Sequence, residues 1–474
     1  MPALANALLK SSGWQSAEQQ LAVLDEAGRN SGAYHAVAAL IAMEKRDIAA
    51  AETHWTEAAR LEPAEKRYRL NLAALRLASK VPDVHEAALA DLEKMRGDTA
   101  TGLEALRVLL ADALRRGEAE KARALADALV AEKGCIFQDK LTRLAALRII
   151  EDARATPYLL ELRDAAVSEP TDLYALLAWM NTHNLPLMVY DWIRWMPPEM
   201  TSMPPVGLAV ADALMRIGEW QKLDDLLSTA KWGEMEFMRK AFLTAALDRV
   251  GEDGEGAREW TDAVTGVRSR TDALERLARF AAQVKWTGRA EELMRTLATM
   301  PHCPRWVIDS LWKDAFEHSD TAQLQKLSGV VAKSDPRGIA ARNNYAFLSL
   351  LTRNAEGNPN RIAETLHQEH PENGLITSTY ALSLYKQGKP ADAVAAMSAL
   401  KPEALHEPQV ALFHAMFLLS IGQAEKADEF LKFSAKWPML PEEKTLLERA
   451  KVAGAKTHEA GDDAQKPATT GISR

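Results

Sequence analysis

Small and large apolar residues follow one another along this chain with a long beat. An alanine recurs about every 34 residues, one helical turn before a bulky residue. Ala17, Ala51, Ala122, Ala257, Ala290, Ala322, Ala363, Ala393 and Ala427 keep this register, and Tyr158, Tyr190 and Leu223 fill three missing beats. Within a unit the apolar positions have helical spacing. Ala51, Trp55 and Ala58, at i, i+4 and i+7, share one face. No run alternates apolar and polar residues for more than a few positions, so strands are not expected. A fixed period of this length predicts stacked helix pairs.

The clearest units lie near the ends. In residues 33–63 a first helix is expected to about Lys45, a turn at Asp47, and a second helix stopped by Pro63. Residues 374–402 repeat the plan. Ala381 is the small residue of the first helix, Gly388 closes that helix, and Ala393, Met397 and Leu400 form the second face. Residues 408–438 repeat it again with Ala415, Gly422, Ala427 and Leu431. A small residue lets two helices approach, and a large one a turn away fills the neighbouring gap. One pair cannot bury its own apolar face, so stacking is obligatory.

This pattern resembles the tetratricopeptide repeat (TPR) family. The carrying residues are a small residue in each first helix (Ala39, Ala178, Ala278, Ala346, Ala381, Ala415), a glycine or polar residue seven later, and alanine five after that. Prolines often end the units (Pro63, Pro170, Pro301, Pro371). The resemblance covers roughly residues 1–440 as about thirteen degenerate units. It departs at Tyr158, Tyr190 and Leu223, and in the long interval around NAEGNPN (354–360). The implied fold is all-α: a right-handed α-α superhelix of antiparallel helix pairs with a C-terminal capping helix after Pro441. The expected organisation is one solenoid over 1–453, irregular over 158–223, followed by a disordered polar tail over 454–474.

Composition narrows the function classes. Hydrophobic residues make up 47% and charged residues 26%, an ordinary globular balance. A net charge of −8 argues against a general nucleic-acid binder. Cys135 and Cys303 lie about five repeats apart in a solenoid, too far for a disulfide, and neither belongs to a CxxC motif. The amino-terminal apolar stretch is too short to span a membrane, and the expected location is cytoplasmic. The first repeat starts in the middle of its first helix, the trace that a missing upstream anchor or export signal would leave.

Candidate chemistry is sparse. P-loop, nucleophile-elbow and HExxH motifs are absent. Glu364, His367 and His370 have metal-ligand spacing but lack an obvious further ligand, and a solvated helix is the favoured reading. His302 and Cys303 read as an inter-repeat turn, and GEDGEG (251–256) as a solvated hairpin turn. Residues 179–232 hold five of the twelve tryptophans and six methionines, side chains favoured both at adaptable binding surfaces and as fillers of irregular space. Residues 267–289 are basic, with Arg276 and Arg279 on one helical face.

The resemblance implies that first helices line a concave groove for peptides or partner helices. It places Trp179, His183, Arg276, Arg279, Asn343, Asn344 and Phe347 on that surface. Asn344 resembles the side-chain amide that grips a peptide backbone, and the arginines suit a carboxylate. No full two-lysine, two-asparagine clamp is present. The expected function is a non-enzymatic scaffold for protein or peptide partners, with no cofactor or metal. The alternatives are an accessory subunit of a bacterial export, envelope or polysaccharide-assembly machine, and an enzyme with an unrecognised site in the Trp/Met region.

Overall fold

The computed structural model describes residues 14–301 and 303–463. Every regular element among them is helical. The chain divides into two compact units, Met1–Ala290 and Glu291–Arg474, and the division falls inside the helix Thr287–Ala298.

In the first unit, helix Trp14–Ala22 packs on the hairpin Gly32–Glu44/Ile48–Leu61. Hairpins Lys66–Arg76/Pro82–Met95, Gly102–Arg115/Ala119–Ala131 and Phe137–Ile149/Ala155–Ala166 follow. Next come Pro170–Thr182/Pro186–Ile193, Val206–Ile217/Trp220–Thr229 and Glu236–Val250/Asp253–Thr265, and then helix Thr271–Gln283. The second unit contains Arg305–Glu317/Thr321–Ser334, Ile339–Thr352/Pro359–Glu369, Gly374–Lys386/Pro390–Ser398 and Pro408–Ser420/Ala424–Ser434.

One joint recurs between the helices of these hairpins. The first helix ends on a residue with left-handed backbone: Arg46, Gly117, Glu151, Asn184, Gly218, Gly251, Lys285, Ser319, Arg353, Gly388 or Gly422. In each case the next N–H donates to the carbonyl five residues back, as in Asp47 to Ala42, Trp286 to Ala281 and Lys389 to Leu384. This bond satisfies a carbonyl that the helix end leaves unpaired. The second helix then restarts, and at most of these joints the fifth residue past the left-handed one is buried against its partner; past Glu151 that residue is exposed Thr156, and Leu159 is buried instead. That position holds Ala51, Ala122, Val189, Leu223, Gly256, Ala290, Leu324, Ala393 and Ala427, and Ala363 counted from left-handed Asn358.

The joint corrects the alanine beat. Ala17, Ala51, Ala122, Ala290, Ala363, Ala393 and Ala427 are buried as expected. Ala257 is exposed, and Gly256 takes the close-packed place. A Cβ on Gly256 would lie 2.5 Å from Asp248 Oδ1 and 3.4 Å from the Thr244 carbonyl. The segment read as a solvated turn therefore contains a helix–helix contact. Ala322 is likewise exposed while Leu324 is buried. Tyr158 and Tyr190 are only half-buried, and Leu159 and Val189 occupy the core beside them. In that unit Ala178 also yields its place to fully buried Leu177.

The second unit closes on helix Pro441–Asp463. It packs on Pro408–Ser420 through buried Leu446, Leu447 and Ala450. A Cβ on Gly454 would lie 2.2 Å from the Leu419 carbonyl, so the two backbones touch there. The core beneath holds Phe413 and Phe417, both fully enclosed, with Met397, Val410 and Leu382. The capping helix expected after Pro441 is thus present. The polar segment expected to be disordered from residue 454 begins inside this helix, and residues 464–474 lie outside the described residues.

Candidate functional site

In the first unit, helix Pro170–Thr182 buries Leu173, Leu176, Leu177 and Met180. That stripe leaves Trp179 half-buried on the helix flank. Its indole stacks on His183, with ring centroids 3.9 Å apart and planes at 17°. His183 Nδ1 donates to the Trp179 carbonyl at 2.7 Å, which fixes the ring one turn further along. The Arg148 guanidinium lies 5.5 Å from the centre of the Trp179 ring and donates to the His183 carbonyl at 3.3 Å. Arginine, indole and imidazole therefore form one ordered stack. Sequence reasoning paired Trp179 with His183 but missed Arg148, which stands on the preceding hairpin.

Beyond this stack the repeat is cut short. Pro186 opens a helix of eight residues, and Pro198 opens one of four. The connection between them carries Trp195, which is 89% exposed. Leu187 and Met203 are also exposed. The other tryptophans of the region are engaged. Trp192 lies under Arg163, and Trp220 lies under Arg249. Trp232 is buried and donates its indole N–H to the Ser202 carbonyl at 2.8 Å. Met180 and Met215 belong to the core. Tyr190 accepts a 2.6 Å hydrogen bond from Lys222 Nζ, a contact that raises the lysine pKa. Most of this tryptophan and methionine content thus fills irregular space. Trp195 does not.

Arg276 and Arg279 are exposed on helix Thr271–Gln283. Arg279 pairs with Glu275 at 2.7 Å, and an Arg276 Nη1 lies 3.7 Å from Met235 Sδ. The two arginines therefore do not form a single unopposed cationic face. Asn343, Asn344 and Phe347 belong to the second unit. Asn344 is exposed. Asn343 is buried, and its Oδ1 has no hydrogen-bond partner. Phe347, expected on the inner surface, lies in the core with its ring edge-on to Phe413 at 5.4 Å. Because consecutive first helices pack side by side, the residue just after the small one points into the neighbouring helix there.

Glu364, His367 and His370 do not converge. His367 turns inward, stacks on Tyr380 at 4.5 Å and places Nδ1 3.0 Å from Thr377 Oγ1. Desolvation holds its pKa below the usual imidazole value. The helix read as solvated is therefore half-packed at this point. Among the described residues no three His, Cys, Asp or Glu side chains form a group that could hold a metal ion. Neither cysteine forms a disulfide, and His302 lies outside the described residues. No helix among the described residues is long and apolar enough to cross a membrane.

No family model matches the chain, and no curated protein matches its sequence. Solved structures of repeat proteins do align with it. The TPR domain of P58(IPK) is 14% identical, with 85% of this chain and 99% of that chain covered and a TM-score of 0.20. Naa15/Naa10 bound to HypK-THB is 13% identical, covering 98% and 75%, with a TM-score of 0.25. Yeast Tom70 is 11% identical, covering 98% of each chain, with a TM-score of 0.25. Scores this low carry no weight for fold or function, so the assignment rests on the repeat itself. Its hairpins, its recurrent left-handed joint and the buried small residues that follow make the chain an all-α protein built of consecutive helical hairpins.

Proposed function

We propose that the chain is a non-enzymatic scaffold that binds protein or peptide partners, with the interrupted region of its first unit as the docking surface. The observation that carries this reading is the exposure of Trp195 at 89% between two proline-opened helices. An indole left in water forfeits a large apolar burial, and tryptophan is the side chain most often found at the energetic centre of interfaces. The Arg148–Trp179–His183 stack supplies a second, pre-ordered aromatic surface on the adjoining hairpin.

The test uses Trp195→Ser, which removes no core contact and keeps the far-UV circular dichroism of the parent chain. Partners captured from the native source by the parent chain are expected to bind this variant at least about 2 kcal/mol more weakly, roughly 30-fold. Trp179→Ala is expected to weaken capture less, because its ring is already half-buried. Equal capture of the same partners by folded Trp195→Ser and by the parent chain refutes the assignment of this surface.

A further inference from the structure

Helix Pro441–Asp463 crosses the hairpins of the second unit instead of adding to their stack. Near its start, the Glu442 carboxylate accepts a hydrogen bond from Thr321 Oγ1, two residues past left-handed Ser319. About three turns later, Gly454 lies against the Leu419 carbonyl, beside the joint at Gly422. The joints at Arg353 and Gly388 fall between these two along the chain. Accordingly the helix packs on Ile339–Thr352 as well as on Pro408–Ser420. It lies as a strap over the joint side of the hairpins, and its stretch from Glu442 to Gly454 is about 18 Å long. Leu446, Leu447 and Ala450 form its buried stripe, the way an amphipathic helix sits on an apolar surface.

The apolar fit of the strap is good, but its charge is wrong for the surface it covers. Arg449 stands between Leu447 and Ala450, and its charge acts on Tyr385 and Lys386 at the end of helix Gly374–Lys386. Lys386 is half-buried. Burial and the charges of Arg353 and Arg449 hold its pKa below the usual lysine value, with Glu442 opposing them. Among the described residues no carboxylate forms an ion pair with Arg353, Lys386 or Arg449. Arg353 and Lys386 sit at the carbonyl ends of their helices, where a cation is favoured. That preference does not explain a third cation laid over them by the strap.

We propose that this face of the second unit is a docking surface for an acidic amphipathic helix of a partner protein, and that helix Pro441–Asp463 covers it until such a partner binds. The partner's chemistry follows from the mismatch. A helix with the same apolar stripe and a carboxylate in the place of Arg449 pairs with Lys386 and Arg353, where the chain's own helix repels them. The covalent connection favours the chain's own helix through its high effective concentration, and the charge mismatch offsets that advantage. This surface belongs to the second unit and adds to the scaffold reading. Its failure leaves the Trp195 surface of the first unit untouched, and the reverse holds.

The probe is a fluorescein-labelled peptide of residues 441–463 carrying Arg449→Glu, and the same peptide with the native sequence is the control. Anisotropy titrations use the full chain and full-chain Gly454→Ala, whose added Cβ meets the Leu419 carbonyl and loosens the strap. The Gly454→Ala chain is expected to bind the acidic probe at least about 10-fold more tightly than the parent chain does. It is also expected to prefer the acidic probe over the native-sequence peptide by roughly 10-fold, a preference that Lys386→Gln in the same chain largely removes. In the otherwise unaltered chain, Arg449→Glu is expected to slow amide exchange over residues 441–454, and this measurement carries the test if Gly454→Ala fails to fold. Equal binding of the two peptides overturns the proposal, as does unchanged or faster exchange in folded Arg449→Glu. It is equally overturned if neither peptide binds the folded Gly454→Ala chain, which leaves a structural cap only. Dimers of Gly454→Ala that exclude the acidic probe also overturn it, because the surface then takes the helix of a second copy.

Discussion

Glu443 offers the sharpest quantitative test of the packing at the end of the second unit. It stands in the first turn of helix Pro441–Asp463, is 1% exposed, and accepts the Leu440 N–H at 2.7 Å. Burial raises its pKa from 4.5 to about 7, with the neighbouring Glu442 charge adding to the rise and the Leu440 bond opposing it. The folded chain thus holds a proton that the unfolded chain has already released. The stability linked to this group is full below about pH 4.5, declines as pH rises, and is lost above about pH 7. At about 1.36 kcal/mol per pH unit, the loss across the window is of order 3 kcal/mol. Glu443→Gln keeps an oxygen for the Leu440 N–H and has no proton to lose. Urea unfolding followed by circular dichroism, with amide exchange over residues 408–454 as the local probe, measures both chains at pH 5 and pH 8. Buried His414 has its pKa lowered to about 4 by desolvation and destabilises in the opposite direction, as pH falls below about 6.5. The variant-minus-parent difference removes that contribution. The difference is expected to grow by roughly 2.5 kcal/mol in favour of glutamine from pH 5 to pH 8. A difference constant to within about 0.5 kcal/mol refutes the burial argument.

Three further outcomes follow from the joints and contacts. Gly256→Ala is expected to displace the Asp248 carboxylate and cost about 1–3 kcal/mol in a denaturant titration, whereas Ala257→Leu on the exposed side changes stability by no more than about 0.5 kcal/mol. Gly388→Ala, at a φ of +79°, is expected to cost about 1–2 kcal/mol although its Cβ meets open space, and a thermal melt reads the loss. Ala393→Leu is expected to cost about 1–3 kcal/mol by overpacking the hairpin crossing, while the far-UV spectrum stays helical.

Fold class and most of the repeat register were legible because they depend on side-chain volume. Ala51, Ala363, Ala393 and Ala427 are small where two helices cross, and the sequence displays that directly. The register slipped where volume misleads. Gly256 and Ala257 are both small, and only the turn at Gly251 decides between them. A count of five from that glycine finds the buried residue, as it does from Gly388 and Gly422. The same count was hidden at Arg46, Lys285 and Ser319, whose left-handed backbone no side chain announces. The site was less legible. Tryptophan enrichment marked residues 179–232, but exposure separates Trp195 from Trp232, and exposure depends on how the proline-opened helices pack. Phe347 shows the reverse failure, since a groove position inferred from the repeat becomes core when neighbouring helices close over it.

The left-handed joint also makes the hairpins modular. Where the joint occurs, the first helix is finished by a bond that closes back on itself, and the second helix takes its register from its own starting turn. Residues added between those two events do not propagate. The chain demonstrates this between Arg353 and Asn358, where a longer connection separates the end of one helix from the count that buries Ala363. The Tyr345 hydroxyl donates to the Glu356 carbonyl at 2.8 Å and pins that excursion to the hairpin. Such a joint is a natural port for insertion. A reporter peptide or a recognition loop placed there extends the surface of the repeat while leaving its stacking geometry intact.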